Sequence, residues 1–179
     1  DIREFVQNRD RLPQTIHEIL AVLNPAMHTL ATLPIPVISA IQGALGGGGI
    51  GIGLCADIVL ASTTVFLRGG YSAIGLSPDL GSSYYLTRRA GASRAKYLLM
   101  SNRPASAQEC LRMGIFDELH EPDALAAQAL QLAEELAAGA TNSLAHIKKL
   151  CDEAHSHALQ AHLEAERYAI SDCAATANS

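Results

Sequence analysis

Hydrophobic positions recur at helical spacing early in the chain. Over residues 14–33 they lie three or four residues apart and end before a proline, which predicts an amphipathic helix stopped by Pro34. Beyond the proline the pattern changes. Residues 37–41 form a short continuous apolar run typical of a buried strand, and residues 50–56 have the length and composition of a buried helix that is beginning.

The middle of the chain alternates β-rich runs with helical segments. We predict strands at 57–61, 64–68 and 115–119, an irregular loop at 69–83, helices at 83–89 and 93–100, and a helix capped by Ser106 and Glu109 that Gly114 closes. After Pro122 alanine, leucine and glutamate dominate, which predicts helices at 125–138, 143–154 and 159–170. We therefore predict a mixed α/β core over residues 1–120 and a helical C-terminal segment over residues 121–179.

Four consecutive glycines, Gly46 to Gly49, lie between the predicted strand and the predicted helix. Glycine loses more backbone freedom on folding than any other residue, so a run of four is costly to order. We interpret the run as a bend that something must approach closely. Its amide groups would be unpaired at the positive end of a helix dipole, which favours a negatively charged group.

Three other interpretations fit the same glycines. Gly46, Gly48 and Gly51 match a dinucleotide-binding pattern, but Tyr71 stands near the position where that pattern needs an acidic residue. Residues 33–56 carry no charge until Asp57 and are long enough to cross a bilayer, although prolines and glycines interrupt them. The glycines could also serve tight helix packing without any ligand.

Composition narrows the class of protein. The 179 residues are 49% hydrophobic and 17% charged, which describes a globular chain with a sizeable core. The formal net charge of -5 and the lack of a basic run argue against nucleic acid as a partner, and we expect no membrane association.

The four cysteines have no metal-binding spacing, and no cysteine or carboxylate cluster completes a ligand set around the histidines. We therefore expect no metal site, and reduced thiols of a reducing, cytoplasmic compartment. The chain begins at Asp1 with no signal-like segment, and its first strong strand comes late, so we expect an N-terminal portion to precede it.

Residues 34–119 contain two characteristic stretches, PVISAIQGALGGGGIGIGLCADIVLAS and GYSAIGLSPDLGSSYYLTRRAG, followed by the Ser-Ala-x-Glu helix. On these motifs the chain resembles, almost without gaps, the crotonase superfamily of enoyl-CoA hydratases and isomerases. The resemblance implies a spiral of ββα units whose N-terminal strands are missing here. The helices after Pro122 are similar to the family's trimerisation segment, so the resemblance also implies self-association as a trimer or hexamer.

In this family two backbone amides hold the thioester oxygen of an acyl-CoA substrate and stabilise the enolate that forms. By position the resemblance implies Gly48 as one donor, with Gly47 beside it; the other would lie just before Asp1. Coenzyme A enters as part of the substrate, and no other cofactor is implied. The two glutamates of the hydratases align with Gly51 and Tyr71, neither of which can act as a carboxylate.

One carboxylate remains in the irregular loop, Asp79 in SPDLG. Alone it reads as a turn aspartate after Pro78. The resemblance instead implies the single base of an isomerase, because crotonase-like isomerases use an aspartate here. Gly47, Gly51, Tyr71 and Leu76 would then contact substrate, although Tyr71 could simply pack the loop.

Other activities stay open for this site. A hydratase is one alternative, and an aryl-CoA dehalogenase with Asp79 as nucleophile is another, although such dehalogenases use tryptophan and this chain has none. The protein could also be a non-catalytic acyl-CoA binder or scaffold. Lys148 and Lys149 either reach the CoA phosphates of a neighbouring subunit or lie on a solvated helix face.

Overall fold

The computed structural model describes residues 9–176. The helices are α1 (Leu12–Ala31), α2 (Gly48–Leu54), α3 (Ser82–Ala90), α4 (Ala92–Ser101), α5 (Ala107–Arg112), α6 (Leu125–Ala137), α7 (Thr141–Glu153) and α8 (Leu159–Thr176). The strands are β1 (Ile38–Ile41), β2 (Ala44–Gly46), β3 (Ile58–Ser62), β4 (Phe66–Arg68), β5 (Ala105–Ser106) and β6 (Glu118–His120), and 3₁₀ turns cover Arg9–Arg11 and Tyr71–Ile74. The expectation about the residues around Asp1 lies outside this described range.

The strands form two small sheets. In the first sheet, ordered β1-β3-β6, all neighbours are parallel, with Ile38 opposite Ile58 and Leu60 opposite Glu118. In the second sheet, ordered β2-β4-β5, β2 and β4 are parallel and β5 is antiparallel to β4. The chain passes through the first sheet, the second sheet and a helix, and then repeats this path. The predicted spiral of ββα units is confirmed.

The core lies between the sheets and helices α2 and α3. Ile50 and Leu54 of α2, Leu67 of β4 and Leu86 of α3 are almost completely buried and belong to one cluster. Each such aliphatic side chain contributes about 1.5–3 kcal/mol to folding by leaving water. This burial fixes α2 and α3 side by side, and their N-terminal ends carry the functional loops.

The C-terminal helices attach to this core in different ways. Helix α6 packs against β1, β3 and β6, whereas α7 and α8 pack mainly against each other. The division into a core over residues 1–120 and a helical segment over residues 121–179 stays a prediction.

The sequence patterns placed most elements within a few residues and missed the shortest ones. Residues 115–119 do not form one strand: β6 begins only at Glu118, while Ile115 and Phe116 are buried in an irregular segment. Strands β2 and β5, of three and two residues, were not predicted at all. In the described part of the chain, no helix combines the length and hydropathy that crossing a bilayer requires.

Candidate active site

The tetraglycine run forms the turn from β2 into α2. Gly47 adopts φ 54° and ψ -141°, a left-handed conformation that favours glycine. Its amide donates to the Gly69 carbonyl at 3.1 Å, which ties the bend to the end of β4. Within the described structure the amides of Gly48 and Gly49 have no acceptor, so the bend presents two unpaired donors. The expectation that the amides of the run are unpaired is confirmed for these two and wrong for Gly47.

The loop that carries Asp79 folds directly over this bend. A Cβ atom placed on Gly48 would lie 2.8 Å from Leu80 Cδ1 and 3.1 Å from Asp79 Oδ1. A side chain at Gly48 would therefore press on the ends of the Leu80 and Asp79 side chains, which would have to move. The Asp79 loop thus packs against the glycine whose backbone amide is unpaired.

Leu80 explains how the loop reaches so deep. It has a φ of 47°, uncommon for a residue other than glycine, and Gly81 beside it has a φ of 80°. The Leu80 carbonyl lies in the space that a side chain on Gly51 would fill. A glutamate at position 51, as in the hydratases, has no place beneath this loop.

Tyr71 and Ser82 connect the loop to the bend by hydrogen bonds. The Tyr71 hydroxyl donates to Asp79 Oδ1 at 2.6 Å and lies 3.0 Å from Ser82 Oγ. Ser82 Oγ accepts from the Gly51 amide at 3.1 Å and donates to the Gly47 carbonyl at 3.2 Å. Ser82 is fully buried, so its hydroxyl holds both flanks of the glycine bend away from water.

The electrostatics of this site come from neutral groups. Burial, followed by the hydrogen bond to Asp79, raises the pKa of Tyr71 to about 12, so its hydroxyl stays protonated at neutral pH. Among the described residues, no cation forms an ion pair with Asp79, and its Oδ2 atom has no hydrogen-bond donor. The carboxylate is therefore held in place without being neutralised.

A cavity of about 580 Å³ opens in front of Asp79. Helix α1 supplies one wall and the loop supplies the other, and most of the lining is apolar. The lining side chains of α1 are Ile16, Ile19, Leu20, Asn24, Met27 and His28. Of the described residues that line this cavity, Asp79 is the only acidic one. The space suits an apolar group whose reacting carbon lies near one carboxylate.

The predicted site residues separate into two groups. Asp79, Tyr71 and Leu76 line the cavity, and Gly48 touches the Asp79 loop. Gly47 shapes the bend through its backbone. The prediction that Gly51 contacts substrate is not supported by its placement, because Leu80 covers it and Ser82 takes its amide.

Ser82 and the α1 wall were missed by sequence reasoning. Ser82 stands among small polar residues after a turn, and nothing in its neighbourhood distinguishes a buried serine from an exposed one. The periodic apolar positions of α1 predict an amphipathic helix, but no residue of α1 is fully buried, and the pattern does not indicate which loop the apolar face lies against. The described residues contain no cluster of metal ligands.

A second cavity, of about 730 Å³, lies between α7 and the core. Lys148 projects into this region and pairs with Asp57 at 2.9 Å, and it also donates to the Ile35 carbonyl at 3.2 Å. Its side chain is only 8% exposed. The prediction that Lys148 lies on a solvated helix face is therefore wrong, whereas the exposed Lys149 does lie on such a face. Contact of either lysine with the CoA phosphates of a neighbouring subunit stays a prediction.

Comparison with known proteins identifies the family. The enoyl-CoA hydratase/isomerase family model matches residues 1–179, and the chain belongs to this family. The chain is 35% identical to the 1,2-epoxyphenylacetyl-CoA isomerase of Escherichia coli (strain K12) over 144 residues, which cover 80% of this chain and 55% of that protein. It spans about half the length of the curated relatives it matches.

Solved structures agree with this membership. An enoyl-CoA hydratase from Polaromonas sp. JS666 is 32% identical, with a TM-score of 0.89 over 96% of this chain and 67% of that chain. A structure from Thermobifida fusca YX, solved in complex with CoA, is 25% identical, with a TM-score of 0.85 over 93% of this chain and 65% of that chain. Relatives named isomerase and relatives named hydratase both match, so family membership alone leaves the reaction open.

Proposed function

We propose that the protein is an acyl-CoA isomerase in which Asp79 moves a proton and Gly48 stabilises the negative charge that results. The observation that carries this proposal is the packing of the Asp79 loop against Gly48, whose amide is unpaired, together with the apolar cavity in front of Asp79. Enolate formation needs a base at the carbon and hydrogen-bond donors at the thioester oxygen. Asp79 would be that base, and Gly48 would supply one of the two donors that the family uses.

The proposed reaction needs no oxidant and no resident cofactor. Asp79 takes a proton from a carbon next to the thioester or conjugated with it, and the C–H electron pair moves onto the thioester oxygen, where the Gly48 amide donates. The resulting enolate collapses and takes the same proton at a different carbon. Coenzyme A takes part only as the carrier of the acyl group, as the relative solved with CoA suggests.

Hydration is a weaker candidate for this chain. Adding water by the family mechanism needs an acid and a base, and the cavity offers one carboxylate among its described lining residues. The two positions that carry glutamates in hydratases hold a covered glycine and a tyrosine whose hydroxyl already donates to Asp79. The relative named 1,2-epoxyphenylacetyl-CoA isomerase also supports an isomerisation.

We further propose that the active form is a trimer or a hexamer. Helix α8 leaves three large apolar side chains uncovered on one face: Leu159, Leu163 and Ile170 are between 53% and 74% exposed. Such a face is typical of a surface that another protein covers. Sedimentation equilibrium would test this proposal, and a monomer at micromolar concentration would contradict it.

The test of the proposed function is Asp79→Asn in the intact protein. Asparagine keeps the size of the side chain and cannot accept the proton, so turnover should fall by about 10³-fold while binding changes less than about twofold. Turnover is measured with a panel of 3-enoyl-, dienoyl- and aryl-epoxyacetyl-CoA thioesters, and binding with hexanoyl-CoA by calorimetry. Asp123→Asn, an exposed aspartate outside the cavity, is the matched control.

Three results would contradict the proposal. Unchanged turnover in Asp79→Asn would remove its assigned role. Affinity for hexanoyl-CoA without any product from the whole panel would favour a non-catalytic binder. Product that carries an added hydroxyl group would favour a hydratase.

A further inference from the structure

Tyr71 occupies a position where the family's hydratases have a glutamate, yet its hydroxyl points at another protein group. It donates to Asp79 Oδ1 at 2.6 Å, a short distance that is typical of a hydroxyl bound to a carboxylate. The side chain is only 6% exposed. The hydroxyl therefore donates its proton to Asp79 in the absence of substrate.

The backbone around Tyr71 is fixed on both sides. Gly70, with a φ of 81°, donates its amide to Asn102 Oδ1 at 2.8 Å, and the Leu76 amide donates to the Tyr71 carbonyl at 3.0 Å. A tyrosine side chain has few rotatable bonds, so fixing its backbone and burying its ring also fixes its hydroxyl. Tyr71 is consequently a rigid donor.

Counting protons assigns each hydroxyl a role. The Tyr71 oxygen accepts from the Asp79 amide at 3.3 Å, which leaves its own proton for Oδ1. Ser82 has one proton to share between the Gly47 carbonyl and the Tyr71 oxygen. The same buried serine thus touches both the glycine bend and the tyrosine that holds the carboxylate.

We propose that Tyr71 is a positioning residue that occupies Oδ1 of Asp79, so that Oδ2 alone exchanges the proton with substrate. Oδ2 has no donor within the described structure, whereas Oδ1 has the shortest side-chain contact of the site. Ser82 holds Tyr71 and Asp79 in a fixed position relative to the Gly48 amide. The inference rests on the proposed function, since it assigns Asp79 as the base.

The test is Tyr71→Phe in the intact protein, a change that removes one oxygen and keeps the ring. Without its donor Asp79 can rotate, and its charged form loses a stabilising hydrogen bond. We expect kcat to fall on the order of 10- to 100-fold with KM within about twofold, and the acidic limb of the kcat/KM–pH profile to move to higher pH. If Tyr71 only packed the loop, Tyr71→Phe would leave the acidic limb of the pH profile in place and would not lower kcat at constant KM.

A second readout avoids the need to know the natural substrate. Exchange of the α-protons of hexanoyl-CoA in D₂O, followed by NMR, reports enolate formation directly, and it should slow in Tyr71→Phe by the same factor as kcat. Tyr97→Phe is the matched control. Tyr97 is exposed, and among the described residues its hydroxyl accepts a hydrogen bond only from the exposed Arg103.

The outcomes separate the two proposals. If the unaltered protein neither isomerises nor exchanges, the proposed function fails. If the unaltered protein isomerises or exchanges, and a folded Tyr71→Phe variant keeps its kcat and pH profile, only the positioning role of Tyr71 is wrong. Should Tyr71→Phe fail to fold, Ser82→Ala tests the same group of residues, because it removes a hydrogen-bond partner of the Tyr71 hydroxyl. Exchange at saturating hexanoyl-CoA should then be slower, and unaltered exchange would overturn the proposal.

Discussion

Two aspartates beside helix α3 have opposite surroundings. Asp57 accepts the Val37 amide at 2.7 Å and pairs with Lys148 at 2.9 Å. Asp79 accepts one hydrogen bond from a neutral tyrosine side chain and has no cation partner among the described residues. Asp117 repeats the first arrangement, with the Val59 amide at 2.7 Å and Arg89 at 3.2 Å.

This difference separates structural carboxylates from a reactive one. Asp57 and Asp117 each join a cation to a backbone amide and do not line the cavity beside Asp79, so their contacts serve the fold. Asp79 has one neutral side-chain donor and lines that cavity, so its Oδ2 atom can meet a substrate. The two regions should therefore be destabilised by different substitutions. The stability of the Asp57 region depends on an ion pair, and that of the Asp79 region depends on closely packed backbone.

The largest effect should come from Gly51→Ala, which tests the packing of the Asp79 region. Its new Cβ would meet the Leu80 carbonyl and would also lie 2.7 Å from the Leu80 carbonyl carbon and 3.1 Å from the Ser82 amide. Because these are backbone atoms, the loop must shift. We expect a loss of about 4 kcal/mol or more in the free energy of unfolding.

Gly49→Ala is the control for that substitution. A Cβ on Gly49 meets nothing within 4 Å, so the same chemical change should alter stability by less than about 1 kcal/mol. Urea denaturation followed by circular dichroism gives both values. Equal stability of the two variants would show that the loop does not depend on this contact.

A smaller loss is expected from Lys148→Met, which tests the Asp57 region. Asp57 would keep its backbone donor and lose its cation, and an unpaired, largely buried carboxylate is costly. We expect about 2–3 kcal/mol, below the range for fully buried pairs because the Asp57 side chain is 25% exposed.

Lys149→Met is the matched control for Lys148→Met, because Lys149 is adjacent and exposed. It should change the free energy of unfolding by less than about 0.5 kcal/mol. Adding Asp57→Asn to Lys148→Met should recover part of the lost stability, since it removes the unpaired charge. If both lysine variants lose the same stability, the Asp57–Lys148 pair contributes nothing.

The sequence predicted the Asp79 region better than the Asp57 region for a physical reason. Glycines, a proline and a lone aspartate in a loop are local signals, and the bend of Gly46 to Gly49 follows from neighbours in the chain. The Asp57–Lys148 pair joins residues far apart in sequence. No periodicity shows that a lysine on α7 will meet an aspartate at the start of β3.

Within the candidate site, the features that the sequence did not predict depend on backbone geometry and on contacts between separate segments. The position of Leu80 over Gly51 depends on a left-handed backbone at a leucine, for which sequence gives no expectation. The role of Ser82 depends on three partners contributed by separate segments. Asp79 and Gly48 could be named in advance, but what holds them could not.

The smallest expected effect is a change in alkaline stability that belongs to the Asp79 region. The pKa of Tyr71 is raised from its ordinary value of 10.0 to about 12, first by burial and then by the hydrogen bond to Asp79. The folded protein therefore keeps a proton that the unfolded chain releases between these values, so the free energy of unfolding falls as pH rises through this window. The stabilisation is complete below about pH 10; two pKa units correspond to at most about 3 kcal/mol, of which about half is lost by about pH 11.

Tyr71→Phe should flatten this fall without abolishing it, because burial also raises the pKa of Cys110 to about 12, in an overlapping window. Denaturant titrations between about pH 9 and about pH 12 would measure the slope, with Tyr97→Phe as the exposed control. Lys148→Met should change the slope less than Tyr71→Phe does, because burial is the main cause of the raised pKa of the nearby Cys55 and Tyr85 and Lys148 is the smallest of the influences on Cys55. The prediction is contradicted if Lys148→Met flattens the fall of the free energy of unfolding with pH and Tyr71→Phe does not. The group that titrates at alkaline pH would then lie beside Asp57.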